Sequence, residues 1–159
     1  MTRVLVVYDS TYGNTEKVAR AVADALASEA TAEARQVGAV DPAALRAVDL
    51  LIVGSPTQGF RPTQPIADLL KAAGPGLAGI RAAAFDTRFE AAALTSGALR
   101  LLVKAGGYAA PRIGDALRKA GAALILPPMG FFVVDKEGPL KAGELERAAA
   151  WAKSALHAG

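Results

Sequence analysis

Residues 6–26 read VVYDSTYGNTEKVARAVADAL, and this stretch decides the fold. Its start completes RVLVVY (3–8), a short, β-branched and almost wholly apolar run. That is the pattern of a strand buried on both faces. Beyond Asn14 the period changes. Val18, Val22 and Leu26 recur every four residues beside Ala19, Ala21 and Ala25, which predicts a helix with one buried stripe from Asn14 to about Glu29. Between strand and helix stand Ser10, Thr11, Tyr12, Gly13, Asn14 and Thr15, with no lysine or arginine before Lys17. A helix N-terminus leaves N–H groups unpaired and carries partial positive charge, so it holds anions without a side-chain cation. A simple cap needs one hydroxyl or amide residue. This loop offers four, and Gly13 lets the backbone approach a ligand closely. The surplus favours an anion site.

The same alternation continues along the chain. TAEARQV (31–37) alternates weakly, as a more exposed strand would, and DPAAL (41–45) reads as a turn into a short helical piece with Pro42 at its first position. DLLIVGS (49–55) is a second apolar strand. Ile66, Leu69, Leu70 and Ala73 mark a helix, and RAAAFDT (81–87) is a third buried strand. Residues 95–120 are predicted mostly helical, in two pieces broken at GGYAAPR (106–112). AALILPP (122–128) and GFFVVD (130–135) read as one strand broken by the double proline, or as two short ones. A last helix is expected over Leu140–Leu156, with Leu145, Ala149, Ala152 and Leu156 on one face. Strands alternating with helices imply an α/β domain with a parallel sheet covered on both sides.

Composition narrows the function. The 159 residues suit a single domain, 1–159, with 52% apolar and 21% charged residues. Cysteine is absent and His157 is the one histidine. Thiolate chemistry, a histidine-based metal site and a catalytic triad are thereby excluded as expectations. No apolar run approaches the roughly 20 residues that span a bilayer, and the N-terminus lacks signal-peptide features, so a cytoplasmic protein is expected. The net charge is +3, but the basic residues are scattered and not interleaved with aromatics, which argues against nucleic acid. Trp151 is assigned to core or interface, and His157 to no function.

In an open parallel sheet, ligands bind beyond the carboxyl ends of the strands, where strand order reverses. The loops at that end are 9–15, 55–62 and 86–94. No G-x-x-x-x-G-K-[ST] loop is present, and the G-x-G-x-x-G of GPGLAG (74–79) lies after a helix, at the wrong end. A mononucleotide phosphate suits the first loop better. The second loop, GSPTQGFRPTQP, has the small residues and aromatic lid that a flat heteroaromatic ring needs, though a plain strand-to-helix connection reads the same alone. In the third, FDTRFEAA, Asp86 and Arg88 read equally as a solvated pair.

VVYDSTYGNTEKVARAVADAL resembles the phosphate loop [ST]-x-[ST]-G-N-T of the flavodoxin-like FMN proteins, with Ser10, Gly13, Asn14 and Thr15 matching and Tyr12 in place of the third hydroxyl. LLIVGSPTQGF resembles that family's second flavin loop. The resemblance implies a doubly wound, five-stranded parallel sheet of order 2-1-3-4-5, with helices on both faces. It implies FMN as cofactor, held by residues 10–15, by Ser55, Pro56, Thr57, Gln58, Gly59 and Phe60, and by Asp86, Thr87, Arg88 and Phe89. Phe60 and Phe89 would contact the ring, Asp86 or Thr87 its pyrimidine edge, and Gly59 would allow a backbone rearrangement offering a carbonyl to the flavin N5. The expected function is electron transfer to a redox partner protein or small acceptor. The alternatives are a flavin-dependent NAD(P)H or quinone oxidoreductase, with Arg61 and Arg88 holding an anionic substrate, and a regulatory module that has lost flavin. Three features depart from the family pattern. The third loop lacks its Gly-Asp and stacking tyrosine, the chain is basic where electron-carrying members are acidic, and LPPMGFFVVDKEGPL (126–140) matches no part of that pattern.

Overall fold

The computed structural model describes residues 1–89, 97, 98, 101 and 107–158. Residues 90–94 of the third loop and most of the helix expected from residue 95 lie outside them. Strand β1 (Arg3–Tyr8) is followed by helix α1 (Asn14–Leu26), β2 (Thr31–Gln36), the 3-10 turns Val37–Ala39 and Pro42–Ala47, and β3 (Leu50–Pro56). Then come α2 (Gln64–Ala73), β4 (Arg81–Phe89), α3 (Ala109–Lys119), β5 (Ala123–Leu124), β6 (Met129–Val133) and α4 (Glu144–His157). All named strand pairs are parallel, in the order β2-β1-β3-β4-β5. The fifth position is split. β5 pairs with β4 at Arg81 and Ala82, and β6 pairs with it again from Phe85 to Phe89. The double proline Pro127–Pro128 falls in the gap, because proline has no N–H for the ladder.

Successive side chains on the central strands point to opposite faces, and each face packs helices. Leu5, Val7, Leu51, Val53, Ala82 and Ala84 meet α2 and α3 through Ile66, Leu69, Leu70, Ile113 and Leu117. Val4, Val6, Leu50, Ile52 and Phe85 meet α1 and α4 through Val18, Val22, Leu26, Trp151 and Ala152. The Phe85 ring lies flat against the backbone of the next strand, where a Cβ on Gly54 would stand 2.1 Å from it. Phe85, Phe131 and Trp151 form three edge-to-face pairs with centroids 5.9–6.0 Å apart, a geometry that adds to their burial energy. The Trp151 Nε1 is buried there without a hydrogen-bond partner. No helix among the described residues is long and apolar enough to cross a membrane.

Three expectations need correction. α1 ends at Leu26, and Glu29 beyond it accepts from His157 Nε2 at 3.1 Å. β4 runs to Phe89, two residues past the expected end at Thr87, so Arg88 and Phe89 are strand residues. The last helix begins at Glu144 and buries Ala148, Trp151 and Ala155 beside the expected Ala152 and Leu156. Its stripe is therefore rotated from the expected one, and Leu145 is exposed. The rotation follows from Glu144, whose carboxylate is turned inward to serve the outer edge of β6. Its Oε2 accepts from Phe132 N at 2.7 Å, and Arg147 donates to Glu144 and to the Gly130 carbonyl. These two side chains satisfy backbone groups that an edge strand would otherwise leave open.

Burial alone would raise the Glu144 carboxyl, but Arg147 and the Phe132 N–H outweigh it and hold it below its ordinary value of 4.5. Its stabilising contribution is therefore present above pH 4.5 and lost as pH falls through the lowered folded-state value. Glu144→Gln is expected to lower unfolding free energy by about 2 kcal/mol at pH 7, since the lost bonds involve a charged acceptor. In denaturant titrations the difference from wild type should vanish in acid; a pH-independent difference would contradict this account.

Candidate functional site

The chain passes from β2 on one side of β1 to β3 on the other, so strand order reverses beside the carboxyl ends of β1 and β3. A cavity of about 640 Å³ opens there, within the size range of small-molecule and cofactor sites. Three segments expected from the sequence meet in it: Ser10–Thr15, Pro56–Phe60 and Thr87–Phe89. Gly13, Ser55 and Asp86 stand behind its wall and do not line it.

The first loop is a nest of N–H groups. Gly13 takes φ +92° and is the N-cap of α1, a backbone conformation that glycine adopts without strain. Its N–H donates to Ser10 Oγ at 3.0 Å. Among the described residues the N–H groups of Thr11, Tyr12, Asn14 and Thr15 find no acceptor in the protein. Unpaired donors at a helix start, on a loop with a left-handed glycine, form an anion-binding concavity. Asp9 is not part of it. Its carboxylate accepts from Thr63 Oγ1 at 2.6 Å and from Ser10 N at 2.9 Å, tying the first loop to the start of α2. Thr15 and Thr87 share a buried hydroxyl–hydroxyl bond of 2.8 Å.

The second loop is a tight two-residue hairpin. Gln58 and Arg61 exchange backbone hydrogen bonds of 2.9 and 3.1 Å around Gly59 and Phe60, whose φ angles are +56° and +67°. Two consecutive positive φ values belong to a type I′ turn. Glycine accepts this freely, whereas a non-glycine residue costs about 1–2 kcal/mol. The strain at Phe60 is held by its surroundings: Arg112 Nε donates to the Phe60 carbonyl at 2.9 Å, and Gln58 Nε2 to Thr11 Oγ1 at 2.7 Å. Ser55 ties the end of β3 to the start of α2, its Oγ accepting from Thr63 N at 3.0 Å.

Asp86 and Arg88 are a pair, but not a solvated one. Asp86 is fully buried, and Arg88 grips it with two bonds of 2.6 and 2.7 Å. Asp86 also accepts from Ala110 N at 2.8 Å, while Thr57 Oγ1 accepts from Ala109 N at 3.0 Å. The first turn of α3 is thus capped by side chains from β4 and from the loop that follows β3. Burial pushes the Asp86 carboxyl up, and Arg88, Ala110 and Thr57 pull it back. The Arg88 guanidinium stacks on the Tyr108 ring at 3.6 Å to its centroid. Arg88 thus borders the cavity while paired with Asp86, and Asp86 itself is bonded to Arg88 and to the start of α3.

Sequence reasoning missed four lining residues: Gly107, Tyr108, Val133 and Lys136. The signal for Tyr108 was its place after GlyGly at the start of a helix on the same sheet end. Val133 and Lys136 come from the unassigned segment 126–140, which doubles back as a hairpin, with Val134 N donating to Pro139 O at 3.0 Å and Lys141 N to Phe132 O at 2.8 Å. Its tip touches the first loop, where Asn14 Nδ2 donates to the Glu137 carbonyl at 3.2 Å. Around the cavity stand Tyr12, Phe60, Phe89 and Tyr108; Tyr12 and Phe89 are 45% and 39% exposed. No carboxylate lines the cavity among the described residues.

The sequence matches the flavodoxin family over residues 6–151. The chain belongs to that family. Its members bind FMN, and the chain shares their flavin-binding, electron-transferring character. No curated protein sequence matches it. Among solved structures it resembles oxidised flavodoxin 2 of Bacillus cereus at 22% identity and a TM-score of 0.73, covering 97% of each chain. Flavodoxin 1 of the same organism gives 19% and 0.71, covering 98% of this chain and 97% of that one. The rubredoxin oxygen:oxidoreductase of Desulfovibrio gigas gives 21% and 0.68, covering 99% of this chain but 37% of that one. At these identities the structures show a shared flavodoxin fold. The residues present fit FMN: an anion nest, a cavity of suitable volume, aromatic walls and, among the described residues, no lining carboxylate to repel a phosphate.

Removing one member of a buried, charged pair strands the other. Asp86→Asn is expected to cost about 3 kcal/mol of stability and to loosen the start of α3, read as faster amide exchange at Ala109 and Ala110. Exchange unchanged there would mean that α3 does not depend on its borrowed cap.

Proposed function

We propose that this chain is a single-domain FMN electron carrier serving a redox partner protein or a small acceptor. When bound, FMN supplies reversible one- and two-electron chemistry at its ring. The first loop would hold the phosphate through its free N–H groups and hydroxyls. Tyr12, Phe60, Phe89 and Tyr108 would wall the ring and exclude water from its faces. In the Gly59–Phe60 turn the Phe60 carbonyl is engaged by Arg112. The Gly59 carbonyl, which accepts no hydrogen bond among the described residues, is then the acceptor this turn can offer.

The observation that carries the reading is the chemistry of the cavity wall. Among the described residues its cations are Arg88, paired with Asp86, and Lys136. The described wall carries no histidine or carboxylate to move a proton for a bound substrate. Exposed Tyr12 and Phe89 at the rim favour contact with another molecule over enclosure of a substrate. The net charge of +3 suits a partner with an acidic docking face.

Incubation with FMN should give a yellow protein that is reduced chemically but oxidises NAD(P)H no faster than free FMN does. Steady turnover of NAD(P)H by the protein alone would replace the carrier with an oxidoreductase, and no uptake of FMN would reject both. Gly59→Val, which places a β-branched residue at φ +56°, is expected to narrow the separation between the two one-electron potentials. An unchanged separation in a redox titration would release Gly59 from this role.

A further inference from the structure

The first loop has an electrostatic deficit. From Asp9 to Lys17 it carries two carboxylates, Asp9 and Glu16, against one cation, Lys17. Glu16 is bridged by Arg20 at 2.9 Å, and Lys17 does not line the cavity. A phosphate monoester brings roughly −1.5 to −2 charges near pH 7. The loop must therefore hold a multiply charged group with backbone dipoles and hydroxyls, beside carboxylates of its own.

The hairpin after β6 brings a cation to that place. Its turn runs Asp135–Lys136–Glu137–Gly138, closed by Gly138 N donating to Asp135 O at 3.0 Å. Of the three charged residues, only Lys136 lines the cavity. The Asp135 carboxylate is turned back on the turn itself, with Oδ1 accepting from Lys136 N at 2.7 Å. The turn is fastened to the phosphate loop. Asn14 Nδ2 donates to the Glu137 carbonyl at 3.2 Å, and a Cβ on Gly138, at φ +107°, would stand 2.7 Å from Asn14 Oδ1. Asn14 belongs to both structures at once: it opens α1 beside the free N–H groups and grips the hairpin. The Lys136 ammonium makes no ion pair or hydrogen bond among the described residues, while most other charged groups nearby are engaged.

The geometry points to Lys136 as the cation for the cofactor's phosphate, supplied in space by a segment more than a hundred residues from the loop it completes. The inference rests on the FMN reading and adds a specificity: the site discriminates a phosphorylated flavin from the bare one through a side chain on the hairpin. Asn14 is the positioning residue, because it sets the distance between the hairpin and the nest.

The test is fluorescence titration of the apoprotein with FMN and with riboflavin, which lacks the phosphate. Lys136→Gln should weaken FMN by about tenfold, as expected for one charge-assisted hydrogen bond discounted for exposure, and leave riboflavin unchanged. Lys136→Arg should retain FMN affinity. Lys153→Gln, which removes the same charge from an exposed position on α4 away from the cavity, should change neither titration. FMN affinity should also fall more steeply with added salt in the wild type than in Lys136→Gln. FMN binding unaffected by Lys136→Gln overturns the proposal, and so does equal weakening of FMN and riboflavin, which would mark a structural role. A wild type that binds both flavins equally overturns it while leaving flavin binding intact. A wild type that binds neither withdraws the FMN reading as well.

Discussion

The site depends on one buried carboxylate. Asp86 sits inside the sheet at the point where β4 reaches the cavity, and it does three tasks. It receives Arg88 in a two-bond grip, it caps the first turn of α3 through Ala110 N, and by fixing Arg88 it fixes the ring of Tyr108 stacked upon it. An isolated ionised carboxylate at this depth would be prohibitively costly. Two guanidinium bonds, a helix N-terminus and Thr57 make it tolerable. The same contacts hold the far wall of the cavity in register with the strand.

This arrangement separates binding from support. The groups left open to a ligand are backbone N–H groups, small hydroxyls, aromatic faces and the Lys136 ammonium. The charged groups beneath them, Asp9 with Thr63 and Asp86 with Arg88, are saturated by protein partners. A cofactor therefore meets a surface of fixed dipoles whose orientation is set before it arrives, which is how binding is achieved without reorganising side chains. The strained Gly59–Phe60 turn fits the same logic. Its conformation is held by Arg112 on the Phe60 carbonyl and by Gln58 on Thr11, and strain of that kind persists only when its neighbours over-determine it.

Much of this was legible in the sequence, for physical reasons. The β1–loop–α1 unit is local: strand, nest and helix follow within about twenty residues, and each announces itself by period or by residue type. The sheet order followed from resemblance, and the two core faces from apolar runs. What was not legible is what arrives from elsewhere in the chain. The sequence ends this strand at Thr87. It continues through Phe89 because Asp86 and Arg88 neutralise each other out of water. Tyr108 carries no mark that an arginine twenty residues earlier will stack on it. Glu144 looks like an ordinary first-turn acid, and its inward turn to the edge of β6 rotates the stripe of α4 so that Leu145 faces solvent.

The aromatic knot behind the cavity has an optical consequence. Trp151 is the chain's one tryptophan, and its indole is enclosed by two phenylalanine rings with its N–H unpaired. Buried and with no described residue accepting from its N–H, the indole has little to stabilise its excited dipole, so emission belongs at the short-wavelength end of the tryptophan range. Phe131, one of its two ring partners, lies opposite Thr87 across the β4–β6 ladder, and Thr87 lines the cavity. The protein thus carries a single intrinsic lamp one side chain removed from its binding site, overlapping the absorption of any flavin that settles there.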